Sequence, residues 1–203
     1  MNADDLARDL GRAFPDGAGR LPALHARLAA AAQQDRTLDV AYAIIDTPVG
    51  PLLLAATDRG LIRVAYAAQD HDAVLQALAD QVSPRILRAP ARLDRAAREL
   101  GEYFAGTRRA FGVPLDWSLS AGFRRAVLAR LPEIGYGRTA SYSDVARLAG
   151  SPRAFRAVGT ACATNPLPVI VPCHRVVRAD GAMGGYLGGA EARRVLLTIE
   201  AAA

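Results

Sequence analysis

The chemistry in this chain is concentrated in Ile170-Val171-Pro172-Cys173-His174-Arg175-Val176-Val177, where a cysteine stands between a proline and a histidine. Apolar residues lead into the thiol and away from it, and His174 and Arg175 set two side chains able to carry positive charge beside it. Such surroundings favour thiolate, the form of cysteine that attacks carbon. The same pattern also describes a buried structural cysteine, the commoner fate of a free thiol. Two flanking segments bear on the choice: Asn165-Pro166-Leu167-Pro168 upstream and Gly184-Gly185-Tyr186-Leu187-Gly188-Gly189 downstream.

Cys162 and Cys173 are the only cysteines in 203 residues, too few for a disulfide framework. They could pair with one another, but the acidic start Met1-Asn2-Ala3-Asp4-Asp5 is unlike an export signal, so reduced thiols and a cytoplasmic protein are expected. His25, His71 and His174 lie far apart, and no zinc-finger spacing exists; local motifs give no metal, although distant ligands could converge. No apolar stretch approaches the ~20 residues that span a bilayer, so no membrane role is expected. Hydrophobic content of 51% and charged content of 22% are those of a soluble globular protein. The net charge of +5 is uneven: residues 1–117 hold 14 Arg against 15 acidic residues, residues 118–203 hold 11 against 5, and there is no lysine. The basic half carries the cysteine motif, which points weakly to a polyanionic partner such as nucleic acid.

The elements that must position these residues fall into three stretches. Residues 1–37 are rich in Ala and Arg; Leu21, Leu24 and Leu28 recur at helical spacing, and Pro15-Asp16-Gly17-Ala18-Gly19 predicts a turn between two short helices. From Leu38 the pattern alternates through Val40, Tyr42 and Ile44. Turns at Pro48–Pro51 and Thr57–Gly60 separate further apolar runs, a meander of three antiparallel strands. Helical periodicity follows in Val74, Leu75 and Leu78, then in Leu93, Ala97, Leu100 and Phe104, so 38–117 reads as a small α+β domain. Beyond Trp117 the chain is mostly helical, with Phe123, Val127 and Leu131 on one stripe. Ser141 and Asp144 form a capping box that starts a helix ending at Gly150, and Ser151-Pro152 opens a second helix predicted to run to Ala163. That is a helix-turn-helix pattern. Small residues surround Arg153 and Arg156 on its second helix; such a helix can approach a nucleic acid backbone or pack tightly on a core.

Together, the segments around Cys173 closely resemble the O6-alkylguanine-DNA alkyltransferases, the methylated-DNA–protein-cysteine methyltransferases, over roughly Val40 to Glu200. The resemblance implies an α+β fold: an N-terminal ribonuclease-H-like domain with three antiparallel strands at 38–117, behind the extension 1–37, and a C-terminal winged-helix-like domain at 118–203. It implies stoichiometric, irreversible transfer of a methyl or alkyl group from O6 of guanine, and O4 of thymine, to Cys173, with no cofactor. His174 would act as base through a water, oriented by Glu200. Tyr142 would meet a phosphate and donate a proton to the departing base, and Asn165 would brace the active-site segment. The partner would be double-stranded DNA entered by a monomer from the minor groove, with the nucleotide flipped out of a stack that otherwise hides the lesion. Arg156 would fill the gap. Ser151, Arg153, Ala157, Thr160 and Ala161 would complete the DNA face, and Pro168, Val176, Tyr186, Leu187 and Gly188 would wall the base pocket. Arg175 would hold that loop and its neighbours together.

Departures from the family pattern are Thr160 and Cys162, where glycine and methionine are common, and Leu187, bulkier than the small polar residue of many relatives. The rival readings are a lesion-binding alkyltransferase-like protein, which carries tryptophan where this chain has Cys173, and a cysteine hydrolase, which would have to recruit His25 or His71.

Overall fold

The computed structural model describes residues 17–202, which form two compact units, 17–38 and 39–202. In the first, helix α1 (Gly17–Gln34) closes at Arg36. That residue adopts φ 54° while Thr37 N–H reaches the Ala32 carbonyl at 2.9 Å, a left-handed helix stop. The turn expected over 15–19 is helical from Gly17, where alanine-rich sequence favours the helix. The first of the two expected helices lies outside the described residues.

In the second unit, strands β1 (Val40–Ile45), β2 (Leu52–Thr57) and β3 (Gly60–Tyr66) form the expected antiparallel meander. At Gly60, φ is 138° and a Cβ would lie 2.3 Å from the Pro114 carbonyl oxygen, so only glycine lets the returning chain pair with Leu61. Helix α2 (His71–Gln81) follows, capped by the Asp70 carboxylate on the Asp72 and Ala73 N–H groups. It leads to a fourth strand, β4 (Ile86–Arg88), parallel to β1, giving the order β3-β2-β1-β4. Three residues are too few to show a period-2 pattern, so β4 was invisible in the sequence.

Helix α3 (Asp94–Phe104) covers one face of the sheet, and α2 covers the other. Every residue of β2 is buried, as a strand clad on both sides must be. The α3 side merges into one large core with the C-terminal helices: Leu52, Leu54 and Leu100 share it with Val127, Val158 and Leu196.

The C-terminal half is built on α4 (Gly122–Arg130), α5 (Tyr142–Leu148) and α6 (Phe155–Ala163), which pack on one another, and on α7 (Gly189–Ala201). The Ser141–Asp144 capping box starts α5 as expected, with Ser141 Oγ accepting from Asp144 N–H at 3.1 Å. Two-residue strands β5 (Ala140–Ser141) and β6 (Val176–Val177) pair in parallel beside the cysteine motif. The second helix of the pair begins at Phe155, not at Ser151. Ala154 N–H closes a turn on the Ser151 carbonyl at 2.8 Å, and Pro152 supplies its fixed φ to that turn instead of to a first helical position. Among the described residues no helix is long and apolar enough to cross a membrane.

Candidate active site

Cys173 opens a single 3-10 turn, Cys173–Arg175, whose three residues are all buried. The segment entering it is held under tension. Val169 sits at φ 72°, a region that β-branched residues rarely enter. Asn165 holds it there: its side-chain oxygen accepts from Leu167 N–H at 3.0 Å and its amide donates to the Val171 carbonyl at 2.9 Å. The same amide donates to Cys173 Sγ at 3.1 Å. Asn165 therefore braces the segment and also touches the thiol. Sheet and site are stitched together here, since Val64 N–H of β3 donates to the Pro166 carbonyl at 2.8 Å.

The resting thiol is not the activated nucleophile that its sequence neighbours suggested. Burial pushes the Cys173 pKa up to about 11, against the opposing pull of the Asn165 hydrogen bond and the Arg193 charge. The His174 and Arg175 side chains do not offset this burial, because both are engaged by Glu200. At that pKa, roughly one molecule in ten thousand is thiolate at pH 7, so a base must take the proton.

His174 is 0% exposed, and its Nε2 lies 2.8 Å from Glu200 Oε1. Its Nδ1 is buried without a hydrogen-bond partner. Burial lowers the His174 pKa and outweighs Glu200, which acts to raise it; the ring is neutral near pH 7. Because Glu200 accepts, Nε2 carries the proton and Nδ1 presents a lone pair. Burial alone would raise the Glu200 pKa, but hydrogen bonds from His174, Arg175 and Tyr103 hold it down at about 2. Tyr103 Oη donates to Oε1 at 2.7 Å, Arg175 Nε and Nη2 donate at 2.9 Å each, and Gly137 N–H reaches Oε2 at 3.2 Å. Gly137 has φ 69°, and a Cβ there would lie 2.9 Å from the Glu200 carbonyl oxygen.

Arg175 spends its third contact on the Ile134 carbonyl, at 2.6 Å. It does not hold the glycine-rich loop. That task falls to Arg193 of α7, 1% exposed, which donates to the carbonyls of His174 at 3.1 Å, Gly184 at 2.9 Å and Val176. Of the expected pocket residues, Pro168 and Val176 are buried, while Tyr186, Leu187 and Gly188 are partly so. Tyr186 Oη lies 2.8 Å from Tyr66 Oη at the end of β3, and a Cβ on Gly188 would come within 2.6 Å of the Tyr66 ring. Tyr66, Tyr103 and Arg193 carry no local motif. Each reaches the site from a remote element, so no signal in the sequence marked them.

Tyr142 opens α5 half-buried, and a Cβ on Gly184 would touch its hydroxyl at 2.9 Å, so its ring stands beside the loop. Burial raises its pKa and keeps the phenol protonated. Cys162 is half-buried nearby, and burial pushes its pKa well up too.

On α6 and the turn before it, Arg153, Arg156, Ala157 and Thr160 are exposed on one stripe and Ser151 is half-exposed. Ala161, expected on that face, is 1% exposed and packs into the core beside Val158, at the inner edge of the helix rather than on the outer stripe of Arg156 and Thr160. Phe155 was not anticipated; it is 47% exposed, with the Arg156 guanidinium 5.7 Å from its ring centroid.

Comparison with known proteins bears on this geometry directly. Residues 40–117 match the family model for the 6-O-methylguanine DNA methyltransferase ribonuclease-like domain, and residues 122–202 match that for its DNA binding domain. The methylated-DNA–protein-cysteine methyltransferase of Methanosarcina barkeri is 36% identical over 159 residues, 78% of this chain and 96% of that protein. The constitutive enzyme of Bacillus subtilis is 36% identical over 163 residues, 78% of this chain and 94% of its own. Among solved structures, the Mycobacterium tuberculosis O6-methylguanine methyltransferase superposes with a TM-score of 0.70 at 36% identity, covering 80% of this chain and 93% of that one. A structure of the M. tuberculosis protein in complex with DNA gives 0.67 at 35% identity, with the same coverage. With both of its halves matched in order and a cysteine at the site's centre, the chain belongs to the 6-O-methylguanine DNA methyltransferase family.

Proposed function

We propose that this protein repairs alkylated DNA by moving the alkyl group from O6 of guanine, and from O4 of thymine, onto Cys173 in a single irreversible turnover. The observation that carries the reading is the chain of contacts Asn165–Cys173 and His174–Glu200 with a buried, unpartnered Nδ1 on the base. A water between Sγ and Nδ1 passes the thiol proton to His174. The sulfur attacks the alkyl carbon, the S–C bond forms as the C–O6 bond breaks, and the departing guanine takes a proton from Tyr142. Glu200 stabilises the imidazolium that results. The product is a thioether, whose C–S bond is not cleaved by water at neutral pH, so the transfer is not reversed.

The division of labour follows the two matched halves. Residues 38–117 buttress the site through Val64, Tyr66 and Tyr103, residues 118–203 bind DNA and accept the alkyl group, and residues 1–37 are an N-terminal extension outside both matched domains. The exposed stripe Arg153, Arg156, Ala157 and Thr160 supports entry of α6 into the minor groove by a monomer, with Arg156 filling the stack after the nucleotide flips. Intact-protein mass spectrometry after incubation with O6-methylguanine oligonucleotide tests the reading. One methyl mass at Cys173 and no turnover beyond it is expected. Multiple turnovers, or modification that survives Cys173→Ser, would overturn it.

A further inference from the structure

On the face of the sheet away from Cys173, β3 carries an arginine where the pattern calls for an apolar residue. Ala56 pairs with Leu61 and Ala55 with Arg63, so the register skips Ile62 in a β-bulge. Arg63 therefore shares a face with Ala55, a member of the second core beneath α2. Its Nε is buried without a hydrogen-bond partner, and its guanidinium has no ion pair among the described residues. The residue as a whole is half-buried, and its guanidinium stays charged there without a carboxylate partner among the described residues.

Arg63 lines a cavity of about 290 Å³ between β3, α2 and the chain at Leu119. Val74, Ala77, Leu78 and Leu119 give it apolar walls, and no carboxylate lines it. Gln69 and Gln81 stand with Arg63 as its polar groups; Gln69 Oε1 accepts from Tyr66 N–H at 3.0 Å, which leaves its NH2 as a donor. A planar cation, amide donors and apolar walls of this size match one ligand chemistry, a small organic anion with a carboxylate on an apolar ring or short chain. We infer that the cavity under α2 is a binding site for such a carboxylate, held by Arg63 and separate from the alkyl-transfer site.

Calorimetric titration of the full chain with benzoate tests this, with inorganic phosphate as the charge without the apolar body and benzyl alcohol as the body without the charge. Benzoate should bind one to one, and both comparison compounds should bind at least about tenfold more weakly. Arg63→Met, which keeps the stem's packing, should weaken benzoate by at least about tenfold. Ala77→Leu should fill the cavity and abolish benzoate binding with Arg63 intact. Both variants should transfer alkyl groups to Cys173 at the wild-type rate, which certifies the fold. No benzoate binding by the wild-type chain, or affinity retained in either variant, overturns the site. Phosphate binding as tightly as benzoate overturns its organic character.

Discussion

Replacing Glu200 with glutamine changes almost no volume but removes the charge on which the site's donors converge. His174 Nε2, Tyr103 Oη, Arg175 through two nitrogens and the Gly137 N–H all meet that carboxylate. In Glu200→Gln only one oxygen still accepts, the amide NH2 faces other donors, and Arg175 is left as a buried cation without counter-charge. Removing one partner of a buried pair costs about 3–5 kcal/mol. The carboxyl pKa gives a second route: its fall from 4.5 to about 2 corresponds to about 3 kcal/mol at neutral pH. The two agree, and in a chain of this size they translate to a fall in Tm of about 6–20 °C. The rate should suffer separately. An amide that donates to Nε2 moves the imidazole proton to Nδ1 and removes the lone pair, a loss of about 10²–10⁴ in transfer. Single-turnover transfer from O6-benzylguanine, measured with thermal unfolding, reads both effects. Tyr103→Phe is the control: it removes one neutral donor, should cost about 1 kcal/mol, and should keep the rate. An unchanged rate and Tm in Glu200→Gln would refute the reasoning.

The same carboxylate sets the acid response. Its folded pKa is depressed, so its contribution is full above pH 4.5 and is lost as pH falls towards about 2. His174, also depressed from 6.5, adds a loss that begins below that value. Stability measured by denaturant titration should therefore decline from about pH 6.5 downward in two stages, and His174→Gln should erase the first. With a thiol pKa of about 11, the wild-type transfer rate should be flat from pH 7 to 9, whereas His174→Gln should be slower and rise with pH across that range; parallel profiles would remove His174 as the base. Arg156→Ala should slow repair of duplex DNA by about tenfold, equivalent to about 1.4 kcal/mol, while sparing free O6-benzylguanine. Arg153→Ala should do less, and equal effects on duplex would mean general electrostatics. Gly188→Ala should impair transfer from free base because its Cβ would meet the Tyr66 ring at 2.6 Å. Tyr66→Ala should restore it, and failure of that rescue would dissociate the loop from β3.

Much of this protein is local and therefore legible in its sequence. Period-2 alternation and turn residues gave the meander, the Ser141–Asp144 pair gave the start of α5, and Pro-Cys-His-Arg with its flanking segments pointed to the family and the nucleophile. Each of those signals lies within a few residues of what it specifies. The state of the thiol does not. Adjacent His174 and Arg175 suggested a thiolate, but tertiary packing buries the sulfur and turns both side chains towards Glu200, so desolvation outweighs their charge. The start of α6 was misplaced because Ser151-Pro152 suits a turn as well as a helix start, and only the Ala154–Ser151 hydrogen bond decides between them. Ala161 and Thr160 are adjacent in the chain, but the one faces the core and the other solvent, an assignment fixed by what packs on the helix. Arg193, Tyr66 and Tyr103 act on the site from α7, β3 and α3, joined to it by side-chain hydrogen bonds to residues distant in the chain. Such contacts leave no periodicity and no motif, because a lone donor needs only to arrive at the right place, and the fold alone determines where that is.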